Sequence, residues 1–311
     1  MEHEESPEAL IPLFKLERVL NQDQNGKRGG PALCLAERAA FPSDEEALTE
    51  FHSALVNVKN LGNNDIYRWY MASSRTTETS PPELKLNLIY PCTEKHIKKY
   101  SPQEVRMVTE TPDIYKNLVR PYMQRMREEG RLNWVFNILE GRAEQDDILL
   151  RAKGQSADGQ DEEFLLMPDL NWDRKTLSSL HLLAFPTRRD IWSLRDLKKS
   201  NIIWLKEMKE KILDATAKLY KTIERDQIKL YVHYQPTYYH FHIHVVHVMC
   251  EATATQAVGK AFGLENIISQ LECMAGGPDA SMAEATLTYH LGTSTDLWTE
   301  VFSPLKESTK D

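Results

Sequence analysis

No stretch of about 18 consecutive apolar residues occurs anywhere in the chain, so no segment has the character of a membrane-spanning helix. The opening residues are acidic and lack the basic start and apolar centre of a secretory signal. These two absences lead to the expectation of a soluble intracellular protein with no membrane partner, cytoplasmic and also nuclear. Cysteine is scarce: Cys34, Cys92, Cys250 and Cys273 are scattered, without the paired spacing of a zinc site or a disulfide framework, as suits a reducing compartment. Excess positive charge is also missing. A net charge of -8 argues against a surface that grips long duplex nucleic acid through many phosphates, yet leaves room for a small acidic ligand in a local basic pocket.

What the chain does have is length enough for a substantial core, and 311 residues are read here as two domains. The first ten residues and the glycine-rich Gln22 to Pro31 (QDQNGKRGGP) read as frayed end and loop. Between Ile66 and Tyr90, two apolar stretches flank the polar Ser73 to Pro82 segment, with Leu84, Leu86 and Leu88 in alternation, which predicts a hairpin in a small first domain. Thr93 to Glu129 is rich in Lys, Arg and Glu, carries Pro112 and Pro121, and reads as a helical hinge. The boundary is placed near residue 103, giving domains 1–103 and 104–311 with a hinge at about 98–115. Trp134 to Leu139 (WVFNIL) reads as a buried strand, Asp147 to Leu150 as its partner, Lys153 to Glu163 as a polar loop, and Phe164 to Met167 as a strand ended by Pro168.

Leu205, Met208, Ile212, Ala215, Leu219 and Ile223 recur every three or four residues, which predicts one long helix covering a sheet. Ile228, Leu230, Val232 and Tyr234 alternate as a strand, Gln235 to Thr237 turns the chain, and a second strand is expected from Tyr239. Five of the ten histidines fall between His233 and His247, and His240, His242 and His244 occupy every second position. A strand has a side-chain period of two, so these three imidazoles are expected on one partly open face, backed by Phe241, Ile243 and Val245. His247 falls on the other face. An imidazole near its ordinary pKa is substantially neutral at cell pH, so its free lone pair can attack phosphorus without a separate base, provided the second ring nitrogen finds an acceptor. A lone strand histidine is more often a satisfied half-buried residue, and His-x-His can also hold a metal; strict alternation of three favours the nucleophile, with no metal and no cofactor.

The run His240-Phe241-His242-Ile243-His244-Val245-Val246 resembles the His-φ-His-φ-His-φ-φ signature of the histidine triad superfamily, φ being apolar. Its surroundings resemble the scavenger mRNA-decapping enzymes within it: His233-Tyr-Gln-Pro-Thr-Tyr-Tyr-His240, Met167-Pro-Asp-Leu-Asn-Trp172, Arg188-Arg189, Ser193-Leu-Arg-Asp-Leu197 and Tyr90-Pro-Cys-Thr-Glu-Lys-His96. The resemblance implies hydrolysis of a 7-methylguanosine cap dinucleotide or short capped RNA to methylguanosine monophosphate and a nucleoside diphosphate. It makes His242 the nucleophile, His240 and His244 its orienting and charge-stabilising neighbours, and His233, Thr237 and Tyr238 contacts to the triphosphate. It also makes Trp134 and Leu170 the two faces that sandwich the methylated base, Glu144 the carboxylate on the guanine edge and Asp169 an acid at the pocket rim. Alone, Trp134 in an apolar run is more often core than ligand, and Glu144 is an ordinary surface charge. Asn171 stands where the family usually carries Lys, so its cationic role needs another residue; Arg188, Arg189, Lys198 and Lys199 are candidates by composition.

The fold class expected is α+β: a C-terminal histidine triad domain, built of an antiparallel sheet with a long helix, and a smaller N-terminal α+β domain. The resemblance further implies a homodimer that exchanges the N-terminal domain as a dimerising lid, and mRNA decay factors as partners. Two other functions remain open: a dinucleoside-polyphosphate hydrolase or nucleotidyl transferase of the same superfamily, and a non-catalytic cap-binding decay factor. Trp134 with Glu144 argues against the former and the intact triad against the latter.

Overall fold

The structure is a computed structural model that describes residues 16–20, 32–38, 45–64, 67–75, 84–89, 94, 97, 101, 103–152, 164–169 and 172–308. It divides into two compact units, Met1–Cys92 and Thr93–Asp311. The readings made for the first ten residues, Gln22 to Pro31 and Lys153 to Glu163 lie outside the described residues, and so do those for Leu170 and Asn171.

The first unit is α+β. Strands β1 (Leu16–Leu20), β2 (Ala32–Arg38) and β5 (Leu84–Ile89) form one antiparallel sheet in the order β1-β2-β5, while β3 (Leu55–Asn64) and β4 (Tyr67–Ser74) pair antiparallel in another. Helix α1 (Glu45–Ala54) precedes β3. The hairpin expected between Ile66 and Tyr90 is therefore not formed: β4 turns back onto β3, and β5 joins β2 instead. Alternating apolar residues identify a strand but not its partner, because pairing depends on which edges meet.

In the second unit the segment expected to be wholly helical opens with a strand. β6 (Val105–Glu110) pairs antiparallel with β13 (Leu287–Gly292) before a helical stretch that ends in α2 (Arg120–Glu128). The charged composition hid an apolar side: Tyr115, Val119, Tyr122, Met123 and Met126 are buried at helical spacing. Trp134 to Leu139 is likewise a helix rather than a strand, α3 (Asn133–Leu139). Leu132, Val135, Ile138 and Leu139 are buried and Trp134 is not, which is the helical period. The chain enters and leaves α3 through Gly130 and Gly141, both at φ near +80°, where side-chain-bearing residues are strained. Short apolar runs do not distinguish the two states.

Six antiparallel strands make the main sheet in the order β12-β10-β11-β9-β8-β7. They are β7 (Leu150–Ala152), β8 (Phe164–Pro168), β9 (His181–Pro186), β10 (Ile228–His233), β11 (Ile243–His247) and β12 (Ala261–Gly263). Asp147 to Leu150 does not pair with the Trp134 segment: Gln145–Asp147 is a 3-10 turn, and β7 pairs with β8. β8 runs as expected and ends on Pro168.

Period-two alternation gives the sheet two apolar faces. Leu166, Leu182, Ala184, Val232, Ile243 and Val245 point into the main core, which the long helix α4 (Ile202–Leu219) covers with Leu205, Met208 and Ile212. Its buried stripe continues through Thr216, while Leu219 is exposed and Ile223 is buried beyond the helix end. On the opposite face, Leu132, just ahead of α3, and Val135, Ile138 and Leu139 of α3 pack on Leu165, Met167 and Phe185. That face carries the histidines.

Candidate active site

β11 begins at Ile243, so His244 is a strand residue whereas His240 and His242 stand on the irregular segment leading into it. The expected start near Tyr239 is corrected by four residues. The reason is local: the His240 ring nitrogen bonds Pro186 O at the β9 end, and Phe241 N–H donates to Ile191 O in the segment after β9, so the backbone here is tied to a loop rather than to a ladder partner.

The expected partly open face is also corrected, because His240 is fully buried and His242 and His244 are each 5% exposed. Phe185 stacks near His240 and His242 at centroid distances of 6.4 and 5.7 Å, Tyr238 stacks on His242 at 4.5 Å, and Tyr231 lies parallel to His244 at 4.9 Å. Aromatic walls around imidazoles exclude water and strengthen whatever charges enter.

Hydrogen bonds assign the tautomers. His242 Nδ1 is 2.8 Å from His240 O and, since a carbonyl only accepts, must carry the proton. Its Nε2 then holds a free lone pair. His240 Nε2 donates to Pro186 O at 2.9 Å, which leaves Nδ1 without a proton and, buried, without a partner. His244 Nδ1 is 2.9 Å from His181 Nε2, and its own Nε2 is buried with no partner. A buried polar atom left unsatisfied costs about 1–3 kcal/mol, so these two nitrogens are places where a polar ligand would recover a missing hydrogen bond.

Burial is the leading cause that pushes the His240 and His242 imidazoles down to about 4, with the His244 imidazole well below its ordinary value. The rings are thus neutral across the physiological range. Because the folded values lie below the unfolded ones near 6.5, the unfolded chain binds more protons between pH 4 and 6.5, and stability falls as pH drops through that window. His240 and His242 each contribute a slope of up to about 1.4 kcal/mol per pH unit there. Urea midpoints measured at pH 5 and pH 7 should show this loss, and equal midpoints would contradict neutral buried rings.

The His233 ring lies 4.0 Å from that of His244. Trp134, 42% exposed, meets Tyr238 edge-on at 4.8 Å and so stands next to the His242 stack with a free face. Asp169 is buried, with Oδ2 3.8 Å from His181 Nε2, and its charge favours protonation of His242. Thr237 is exposed in the turn. Glu144 is exposed at a left-handed position before the Gln145–Asp147 turn, and no contact among the described residues joins it to Trp134 or the histidines. Arg188, Arg189 and Lys198 pair with Asp190, Glu140 and Asp279, and Lys199 donates to Met274 O.

The cation whose charge reaches His233, His242 and His244 is instead Lys260, just ahead of β12. Its ammonium donates to Gln235 O. Lys260, His181, Phe185 and Tyr231 were not found from the sequence. Only the alternation of His181, Leu183 and Phe185 in β9 could have pointed to two of them.

Two family models match the chain: "Scavenger mRNA decapping enzyme (DcpS) N-terminal" over residues 9–103 and "Scavenger mRNA decapping enzyme C-term binding" over residues 133–259. An m7GpppX diphosphatase of Schizosaccharomyces pombe is 35% identical over 300 residues, covering 93% of this chain and 95% of the relative. The chain belongs to the scavenger mRNA decapping enzyme family. Other relatives of the same name are 35% identical in Ascaris suum, covering 89% of each chain, and 32% identical in Homo sapiens, covering 84% of this chain and 77% of the relative. The match to the C-terminal model takes in α3 with Trp134, Asp169, His181 and the whole triad, and ends one residue before Lys260. Among the described residues no helix is long and apolar enough to cross a membrane.

Proposed function

We propose that this chain hydrolyses 7-methylguanosine cap dinucleotides and short capped RNA, acting on a phosphoric anhydride. The supporting observation is the bond from His242 Nδ1 to His240 O, which leaves His242 Nε2 unprotonated in a closed aromatic pocket. Nε2 attacks the phosphorus next to methylguanosine, the bond from that phosphorus to the bridging oxygen breaks, and a nucleoside diphosphate or 5'-diphosphate RNA departs. Water then opens the phosphohistidine and releases 7-methylguanosine monophosphate, so one difficult displacement becomes two easier ones. His240 orients the nucleophile through its carbonyl, His244 flanks it with an unpartnered Nε2, His233 and Tyr238 border the phosphate path, and Lys260 supplies positive charge where Asn171 cannot.

Trp134 stacks on the cationic methylated base, with Leu170 opposite, Glu144 and Asp169 on its edge, and Thr237 and Asn171 as polar contacts. The N-terminal domain, residues 1–103, is exchanged in a homodimer and acts as a lid over the domain at 104–311; of the hinge expected at about 98–115, only the part ahead of β6 is proposed, because Val105–Glu110 is paired with β13 and Glu110 is buried. The protein works in mRNA decay in the cytoplasm and nucleus, alongside other decay factors.

The test is to incubate the protein with methylated and unmethylated cap dinucleotides and identify the products. Methylguanosine monophosphate with a nucleoside diphosphate, formed from the methylated substrate in preference, is expected. Equal turnover of both, or faster cleavage of a dinucleoside polyphosphate, would overturn the reading. Trp134→Ala should weaken cap binding by about 1–3 kcal/mol, the range for losing a base-stacking aromatic. Unchanged affinity in a fluorescence titration would remove Trp134 from the pocket.

A further inference from the structure

Three neighbouring strands of the main sheet deliver one metal-type donor each to the same spot. Asp169 follows β8, His181 opens β9 and His244 lies on β11, and these strands are consecutive in the sheet order. His181 Nε2 is 2.9 Å from His244 Nδ1 and 3.8 Å from Asp169 Oδ2, and one donor atom from each residue lies within 4.8 Å of the others. All three side chains are buried. A tetrahedral zinc ion with bonds of about 2.0–2.1 Å holds its ligand atoms roughly 3.3 Å apart, so the two pairs that include His181 need shifts of about half an ångström and the Asp169–His244 pair closes by up to about 1.5 Å. Two imidazoles and one carboxylate suit borderline-soft divalent ions and leave a fourth position open for water. His242 takes no part in this set.

We propose that Asp169, His181 and His244 form an inhibitory site for a divalent transition ion of the zinc class. Each ring keeps one proton, carried on the nitrogen facing away from the ion, so binding requires a tautomer shift of one ring and no oxidation or reduction. The ion would draw Asp169 away from the cap pocket. It would also place a net positive charge beside His244, whose ring centroid is 5.2 Å from that of the nucleophile, and make the His242 lone pair less reactive. Ion binding stands apart from the reaction proposed above; inhibition rests on it.

Cobalt(II) chloride titrated into the full chain tests the binding. About one equivalent should produce the visible absorption of tetrahedral cobalt, and zinc should displace it. His181→Phe should weaken binding at least tenfold, whereas His242→Asn should leave it unchanged. Absence of those bands overturns the site, as does an undiminished affinity in His181→Phe or an equal loss in His242→Asn. X-ray absorption of the zinc-loaded, unsubstituted protein decides the ligands without any variant: two imidazoles are expected, and a shell lacking imidazole scattering overturns the assignment. Zinc should then slow cap hydrolysis over the range in which it displaces cobalt, and inhibition of equal strength in His181→Phe would overturn the inhibitory role. A protein that binds cobalt as expected but leaves the cap intact would refute the hydrolase reading alone.

Discussion

His242→Asn is expected to lower cap hydrolysis by about 10⁴-fold or more while cap affinity stays nearly unchanged. The size follows from removing the attacking atom: loss of a nucleophile in an enzyme that works through a covalent intermediate eliminates the route and not merely one stabilising contact. The selectivity follows from geometry. Asn keeps a side-chain N–H near the place from which His242 Nδ1 reaches His240 O, so the loop conformation has a substitute donor. Trp134 meets Tyr238 rather than His242, so the stacking platform is not attached to the residue removed. Rapid quench followed by mass spectrometry should find phosphate on His242 of the unsubstituted protein and none in the variant. A variant that retains more than about a tenth of the rate would place the nucleophile elsewhere.

Arg195→Met should destabilise the second unit by about 3–5 kcal/mol, because it leaves the Glu110 carboxylate buried without its counter-charge. Both side chains of this ion pair are fully enclosed. The guanidinium also donates to Met282 O and to the backbone of Glu110, while Tyr234, Tyr289 and Gln235 donate to the carboxylate. Gln235 in turn accepts from Tyr239. The pair therefore ties β6, β13 and the segment Tyr234 to Tyr239 together, immediately before His240. Arg195→Lys should recover only part of the loss, since an ammonium cannot reproduce the forked geometry. Combining Arg195→Met with Glu110→Gln should be less harmful than Arg195→Met alone, because no unpaired charge remains. Urea denaturation measures all three, and a loss below about 1 kcal/mol for Arg195→Met would mean that water or rearrangement satisfies Glu110.

That network was invisible in the sequence. Glu110 lies in a stretch dense with Lys, Arg and Glu, and its partners are 85 to 179 positions away. Charge in such a stretch reads as solvated surface, yet Glu110 is fully buried. The same composition concealed strand β6 and the buried side of α2. The α3 segment failed differently: its seven residues contain too few turns for the helical period to outweigh the apolar run Trp134 to Leu139. The Ile66 to Tyr90 hairpin failed because alternation specifies which face of a strand is apolar, not which neighbour it joins.

The triad succeeded for a local reason. His240, His242 and His244 lie within five residues, so their relation is governed by backbone geometry over a distance that sequence describes well. Even there the sequence did not convey that two of the three precede the strand, or that Phe185, Tyr231 and Tyr238 enclose them.

By itself, then, the sequence determined the α+β class, the long helix from its periodic apolar face, the two strands on either side of the Gln235 turn, and the family through its triad. Tertiary structure alone decided that the rings are buried and neutral, which nitrogen of His242 is free, and that His181 and Lys260 join the site. The physical reason is distance along the chain. Periodicity is a short-range property of the backbone, whereas tautomer, burial and charge environment come from groups on other strands, brought near only when the sheet closes over its core.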